Sequence, residues 1–225
     1  MSSRQRVVAP VLLLVIAFVS PVLPAQAVGA AHHVVSIAKA RTMEAGSVVT
    51  VAGTVTTPPG AFESSFFDRG FGLQDRSAGI YVSVAAAPDV DLRSRVRVTG
   101  TLRDSFGLLI LVPSDPATIA VHGRGPAVRP RLLTSGAVGE STEGSLVRVV
   151  AAITRAPAPD SEYGFKFYVD DGSGELTIFV NTQTGIDLSG LGVGQTVRVT
   201  GFSSQFDTHY EIDPRFPSDI TVVHP

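Results

Sequence analysis

Three arginines spaced by two residues, Arg93, Arg95 and Arg97, form the clearest chemical pattern in the sequence. Side chains two apart on a β-strand project from the same face, so this spacing predicts a row of guanidinium groups. Such groups suit phosphate, because they stay charged and can donate two hydrogen bonds to one pair of oxygens. Arg103 could extend the row. The alternative is that these arginines only solvate an outward strand face, where charged side chains are common.

Aromatic side chains form a second candidate set. Tyr81, Tyr168 and Phe179 alternate with apolar residues in predicted strands, which places their rings on the outer face. Outward rings can stack against bases or sugars. Phe66 and Phe67 add two aromatic residues in a loop. The alternative is that some of these rings pack against a neighbouring domain or under a loop, as aromatic anchors often do.

Metal chemistry has little support in the sequence. The acidic segment 170–175 resembles a calcium loop, but it lacks the alternating oxygen ligands of an EF-hand. Its Gly-Ser-Gly run is what a tight hairpin turn requires. The 5 histidines show no zinc-ligand spacing. We therefore expect neither a metal site nor a cofactor.

Catalytic motifs are also missing. The sequence has no Gly-x-Ser-x-Gly elbow, no Gly-x-x-x-x-Gly-Lys loop and no His-Glu-x-x-His helix. It has 0 cysteines, which excludes disulfides and thiolate nucleophiles. We expect a protein that is not an enzyme. Catalytic groups that converge from distant loops are the open alternative.

An internal repeat organises most of the chain. Four segments recur in the same order: residues 46–56 match 144–154, 71–84 match 167–180, 96–100 match 197–201 and 113–119 match 214–220. The third pair is identical, Val-Arg-Val-Thr-Gly in both copies. A repeat of this length indicates two copies of one structural unit.

Each copy reads as a set of short strands. In copy one we predict strands at 48–56, 71–74, 80–84, 96–100 and 108–112, with an extension at 117–121. Alternation by two places one apolar set inward: Val49, Val51, Val55, Phe71, Leu73, Ile80, Val82, Val84, Val96 and Val98. We expect the fourth strand to end at Gly100, and Gly201 in copy two. Closure into a five-stranded Greek-key barrel would bury the apolar face and remove the strand edges.

The repeated pattern resembles a known family. Gly-x-x-Val-x-Val-x-Gly-x-Val-Thr, then Phe-x-Leu-x-Asp with a turn and Ile-x-Val, then Val-x-Val-x-Gly, is similar to bacterial exported OB-fold domains. Such modules accompany secreted nucleases or stand alone. The resemblance implies an all-β protein of two tandem five-stranded OB-type Greek-key barrels. A link from this fold to nucleic acid is an analogy, because the fold hosts several functions.

The first segment reads as an export signal. Arg4 and Arg6 precede an apolar run, and Ala25-Gln26-Ala27 presents a small-x-small cleavage pattern. We expect a signal peptide over 1–27, barrel 1 over 28–123, an arginine-, proline- and glycine-rich linker over 124–131, and barrel 2 over 132–225. The mature protein would start with a loose segment to about residue 35 and be secreted or periplasmic, with no membrane span.

Charge differs between the copies. Loss of Arg4 and Arg6 would take the formal net charge from −2 to −4. Copy one has as many acidic as basic residues, whereas copy two has many more acidic residues than basic ones. Its negative charge should repel phosphates. We therefore expect barrel 1 to bind single-stranded DNA or RNA, or another extended anionic polymer. The alternative is a cell-envelope interaction module whose barrels bind a protein or a glycan.

Overall fold

The computed structural model describes residues 33–62, 68–160 and 162–224, which form two seven-stranded sheets. The strands of the first sheet are β1 (Val34–Val35), β2 (Val48–Val55), β3 (Phe71–Gln74), β4 (Gly79–Val82), β5 (Ser94–Ser105), β6 (Leu108–Val112) and β7 (Ile119–Arg124). Those of the second are β8 (Arg131–Leu132), β9 (Leu146–Asp160), β10 (Gly164–Asp170), β11 (Leu176–Asn181), β12 (Thr196–Phe206), β13 (His209–Asp213) and β14 (Ile220–Val222). A single turn of α-helix, α1 (Ile37–Ala40), precedes β2.

Each sheet closes into a barrel of five strands. In the first, the order is β2–β3–β4–β6–β5, and β5 pairs back onto β2. The second repeats this order as β9–β10–β11–β13–β12, with β12 paired back onto β9. The third and fifth strands of each barrel, β4 with β6 and β11 with β13, run parallel. This closed Greek-key arrangement is that of the OB barrel, so the predicted fold class is confirmed.

The inward faces form one core per barrel. All ten inward residues predicted for copy one are buried together in the first core. The second core has the matching positions of copy two, among them Phe167, Val169, Val197 and Val199. The alternation of apolar residues along the strands therefore predicts correctly which side chains face the barrel interior.

The fourth strand of each barrel is longer than predicted. β5 continues past Gly100 to Ser105, and β12 continues past Gly201 to Phe206. A Cβ at Gly100 would lie 2.7 Å from the carbonyl oxygen of Val112, and one at Gly201 would lie 2.4 Å from that of Asp213. These glycines allow a close approach to the next strand rather than ending their own strand.

The segment before each barrel is tied to a hairpin turn. Val34–Val35 pair with β2, so the prediction of a loose chain to about residue 35 is wrong at these two positions. The Ile37 amide donates to Asp75 Oδ2 at 2.9 Å. In the second barrel the Ser135 amide donates to Asp171 Oδ2 at 3.1 Å. The turn aspartate thus has the same structural role in both copies.

A third apolar cluster joins the two barrels. Phe62, Tyr81, Leu108 and Ile110 come from the first barrel, and Phe202 comes from the second. The Phe202 ring lies 5.4 Å from that of Phe62 and 6.0 Å from that of Tyr81, measured between centroids. The outer face of barrel 1 is therefore covered in part by barrel 2.

Polar contacts fix the same interface. Arg41 pairs with Glu143 at 2.8 Å, and both side chains are nearly buried. Burial raises the pKa of Glu143, although the Arg41 charge opposes that rise. Gly79 and Gly144 meet so closely that a Cβ on Gly79 would lie 1.9 Å from the Gly144 carbonyl oxygen. The two barrels are therefore docked, which means that they pack directly against each other and are not held together by the linker alone.

Candidate functional site

The predicted arginine row lies on and beside β5. Arg95 and Arg97 are exposed and alternate with the buried Val96 and Val98. Their cross-strand neighbours, Thr54 and Ala52 on β2 and Ala120 on β7, carry no charge. Among the described residues, neither guanidinium has an acidic partner. Two uncompensated positive charges therefore share one face of the barrel.

Arg93 lies before the strand and not on it. Its backbone has a φ of 73°, and its Nε donates to the Gly125 carbonyl at 3.1 Å. The prediction that Arg93 shares a strand with Arg95 is therefore wrong, because β5 begins at Ser94 and the Arg93 backbone is left-handed. Arg103 is exposed farther along β5, opposite Ile110 of the apolar cluster.

Arg93 instead lines a groove of about 220 Å³ with two arginines of the second barrel, Arg148 and Arg215. Arg148 Nε donates to Thr200 Oγ1 at 2.8 Å. Arg215 donates through Nε to Asp219 at 2.8 Å and through another guanidinium nitrogen to the Thr56 carbonyl at 2.6 Å. The groove is completed by Val55, Thr56, Leu92, Ala127, Val128, Pro130, Leu146, Thr200 and Phe216.

Sequence reasoning missed Arg148 and Arg215 because it treated acidic barrel 2 as a separate platform. Arg148 alternates with buried residues on β9, so its outward position was readable. Its convergence with Arg93 depends on how the barrels dock, which local patterns do not encode. The net charge of a domain therefore conceals a local cluster of like charges.

Tyr81 points out of barrel 1, as predicted, but is fully buried. The Phe62 ring stacks on the Tyr81 ring, with their centroids 5.6 Å apart. The Tyr81 hydroxyl donates to Asp68 Oδ1 at 2.7 Å. It lines the space between the barrels. The position matches the alternative considered for outward aromatics, and a role in binding stays a prediction.

Tyr168 and Phe179 share the outer face of β10 and β11 and are half-buried. Arg155 lies over the Tyr168 ring, 3.6 Å from its centroid, in a cation–π contact. Phe179 lines a cavity between the barrels. Phe66 and Phe67 lie outside the described residues, so their predicted part in the site stays a prediction.

The acidic turn at 170–174 is a hairpin. The Ser173 hydroxyl donates to Asp171, and with the Ser135 hydroxyl and amide it holds the Asp171 pKa at about 2. Gly172 and Gly174 have positive φ values of 95° and 141°. Among the described residues no cluster of three histidines or acids is arranged to hold a metal ion. In the same part of the chain, no helix is both long and apolar enough to cross a bilayer.

A curated relative and several solved structures are similar to this chain. No family model matches it. Endonuclease YhcR of Bacillus subtilis (strain 168) is 26% identical over 184 residues, which are 78% of this chain. The chain spans 15% of the length of that relative. One bacterial relative thus carries a nuclease name, as the resemblance to nuclease-associated modules led us to expect.

Among solved structures, a murine DNA-binding protein bound with double-stranded DNA is 10% identical, with a TM-score of 0.39, and covers 78% of this chain and 97% of its own. The p204 HINb domain is 12% identical, with a TM-score of 0.38, and covers 80% of this chain and 98% of its own. A replication protein A heterotrimer bound to single-stranded DNA is 20% identical over 36% of this chain and 58% of its own, with a TM-score of 0.29.

Proposed function

We propose that this chain is an exported, non-catalytic protein that binds single-stranded nucleic acid through the arginines of barrel 1 and the inter-barrel groove. The observation that carries the proposal is the convergence of Arg93, Arg148 and Arg215 on one groove. A phosphate backbone supplies the anionic oxygens that such a cluster lacks, because within the described residues only Arg215 of the three has a carboxylate partner.

Arg95 and Arg97 extend the positive surface from the groove. β5 begins one residue after Arg93, and both side chains are exposed. Adjacent phosphates along a strand could contact them in turn. Binding that depends on such contacts releases counterions, so its affinity falls steeply with salt.

A preference for single-stranded over double-stranded nucleic acid would come from the outward-facing aromatic rings of barrel 2. Tyr168 and Phe179 retain some exposed surface on one sheet face. Unpaired bases can stack on such rings, whereas paired bases cannot reach them. Arg155 covers one face of the Tyr168 ring and pairs with Glu175, so a base at this position would stack on the guanidinium plane of Arg155.

The test is a salt titration with fluorescent single-stranded DNA and RNA, for the wild type and for the double variant Arg95→Ala/Arg97→Ala. Loss of two phosphate contacts should reduce the slope of log affinity against log salt by about 1.4, at ~0.7 per contact. The matched control is Arg198→Ala, since Arg198 is exposed at the position of barrel 2 that repeats Arg97. Its change should leave the slope unchanged.

A second variant separates the groove from the strand face. Arg93→Ala/Arg148→Ala should also weaken binding to every sequence alike, because phosphate contacts carry no base information. If both double variants bind as the wild type does, the arginines are a solvated surface. Recognition of an envelope protein or a glycan then becomes the better hypothesis.

A further inference from the structure

The cavity between the barrels has a volume of about 410 Å³, which lies within the range of small-molecule sites. Barrel 1 contributes Phe62, Tyr81 and Leu108, together with the turn at Ser105 and Phe106. Barrel 2 contributes residues from β9 to β13. The Phe106 and Phe206 rings stack across the two barrels with their centroids 5.7 Å apart. The cavity exists only because the barrels are docked.

Two carboxylates of β13, Glu211 and Asp213, line this cavity and are 5% exposed. Glu211 Oε2 and Asp213 Oδ1 are buried and have no hydrogen-bond partner among the described residues. His209 Nε2 lies 3.4 Å from Glu211 Oε2 without hydrogen-bond geometry. A buried oxygen without a hydrogen bond costs folding free energy. A bound ligand with hydrogen-bond donors would remove this cost.

The charge around these oxygens favours a cation. Lys166 is the only lysine or arginine that lines the cavity among the described residues, and its Nζ already pairs with Asp160 at 2.9 Å. That ammonium lies 5.7 Å from the Phe179 ring and 5.9 Å from the Phe206 ring. Aromatic rings stabilise a cation on their faces, and the walls are therefore compatible with a second positive charge.

We propose that this cavity binds a small organic cation with N–H donors, a guanidinium or a primary ammonium compound. Its donors would bond Glu211 and Asp213 while its apolar part packs on Phe206 and Phe179. A phosphate-bearing ligand would instead bring negative charge against two carboxylates. The site is distinct from the arginine groove, although it shares Phe179 with the stacking surface proposed for nucleic acid.

Protonation should be linked to this binding. Burial raises the pKa of Asp213 well above its ordinary value, and the Glu211 charge raises it further. The Ser204 hydroxyl and the Lys166 charge act in the opposite direction. Asp160, which lines the cavity, and His209, which lies beside Glu211, are the other titratable groups at this face. A bound cation favours the ionised carboxylate, so its affinity should increase as pH rises through the Asp213 pKa.

The test is calorimetric titration of the mature protein with agmatine, which carries a guanidinium and an ammonium group. Agmatine should bind saturably, n-butanol should not bind, and tetramethylammonium, which has no N–H donor, should bind more weakly than agmatine. Glu211→Gln and Asp213→Asn should each weaken agmatine binding by about tenfold or more, as expected for lost charge-assisted hydrogen bonds. Asp89→Asn, at an exposed acid outside the cavity, should leave binding unchanged.

Thermal melts distinguish a binding role from a structural one. Removing charge from a buried pair of like charges should leave the melting temperature unchanged or raise it, while agmatine binding is lost. Two results would overturn the proposal. One is the absence of saturable agmatine binding to the wild type, and the other is binding that both isosteric variants leave intact.

Discussion

Replacement of Phe202 by alanine tests whether the two barrels share a core. Phe202 belongs to barrel 2, is fully buried, and packs on Phe62 and Tyr81 of barrel 1. Truncation of a fully buried phenylalanine costs about 3–5 kcal/mol, because it removes apolar contacts and leaves a cavity. We therefore expect the free energy of unfolding in urea to fall by this amount, as followed by circular dichroism.

Phe165→Ala is the matched control, because that ring is 40% exposed on β10. Its cost should be within about 0.5 kcal/mol, as is usual for surface positions. Amide hydrogen exchange in the Phe202→Ala variant should show lost protection on β4 and β6 of barrel 1. A cost below about 1 kcal/mol, or lost protection confined to barrel 2, would refute the docked arrangement.

Three further outcomes follow from the same structure and from the sequence. Arg41→Met should cost about 3–5 kcal/mol in a urea melt, because it leaves the Glu143 carboxylate buried without its partner, and a cost near zero would contradict this. Asp171 has a lowered pKa of about 2, so its contribution to stability is complete above pH 3.8 and is lost as pH falls through 2. Melts of wild type and Asp171→Asn should thus differ at pH 6 and converge near pH 2. Intact-mass analysis of the exported protein should give a chain that starts at Val28, and a mass that retains the leader would refute the cleavage site.

The barrels themselves were predictable because local rules determine them. Alternation by two along β2 and β5, and glycines in the Asp171 turn, are consequences of strand and turn geometry that a sequence displays directly. The internal repeat then supplied the same information twice. Domain boundaries are a separate prediction, which expression of the two fragments on either side of Pro126 would test.

The candidate sites were predictable only in part. Arg95 and Arg97 were placed correctly by strand periodicity, whereas the left-handed turn at Arg93 has no signal in its residue type. Glu211 and Asp213 flank the inward Ile212, which marks them as outward and would suggest solvent exposure. They are buried because they line the cavity between the two barrels. Contacts between segments far apart in the sequence cannot be predicted from the alternation of residues along one strand.

Nucleic-acid binding is tested most directly by the affinity of the wild-type protein, without residues 1–27, for a labelled single-stranded oligonucleotide at low salt. We expect measurable binding that weakens steadily as salt is raised, with a slope of log affinity against log salt that reports several phosphate contacts. Absence of affinity for both DNA and RNA at low salt would contradict it. The arginines around the groove would then be a solvated surface and not a nucleic-acid site.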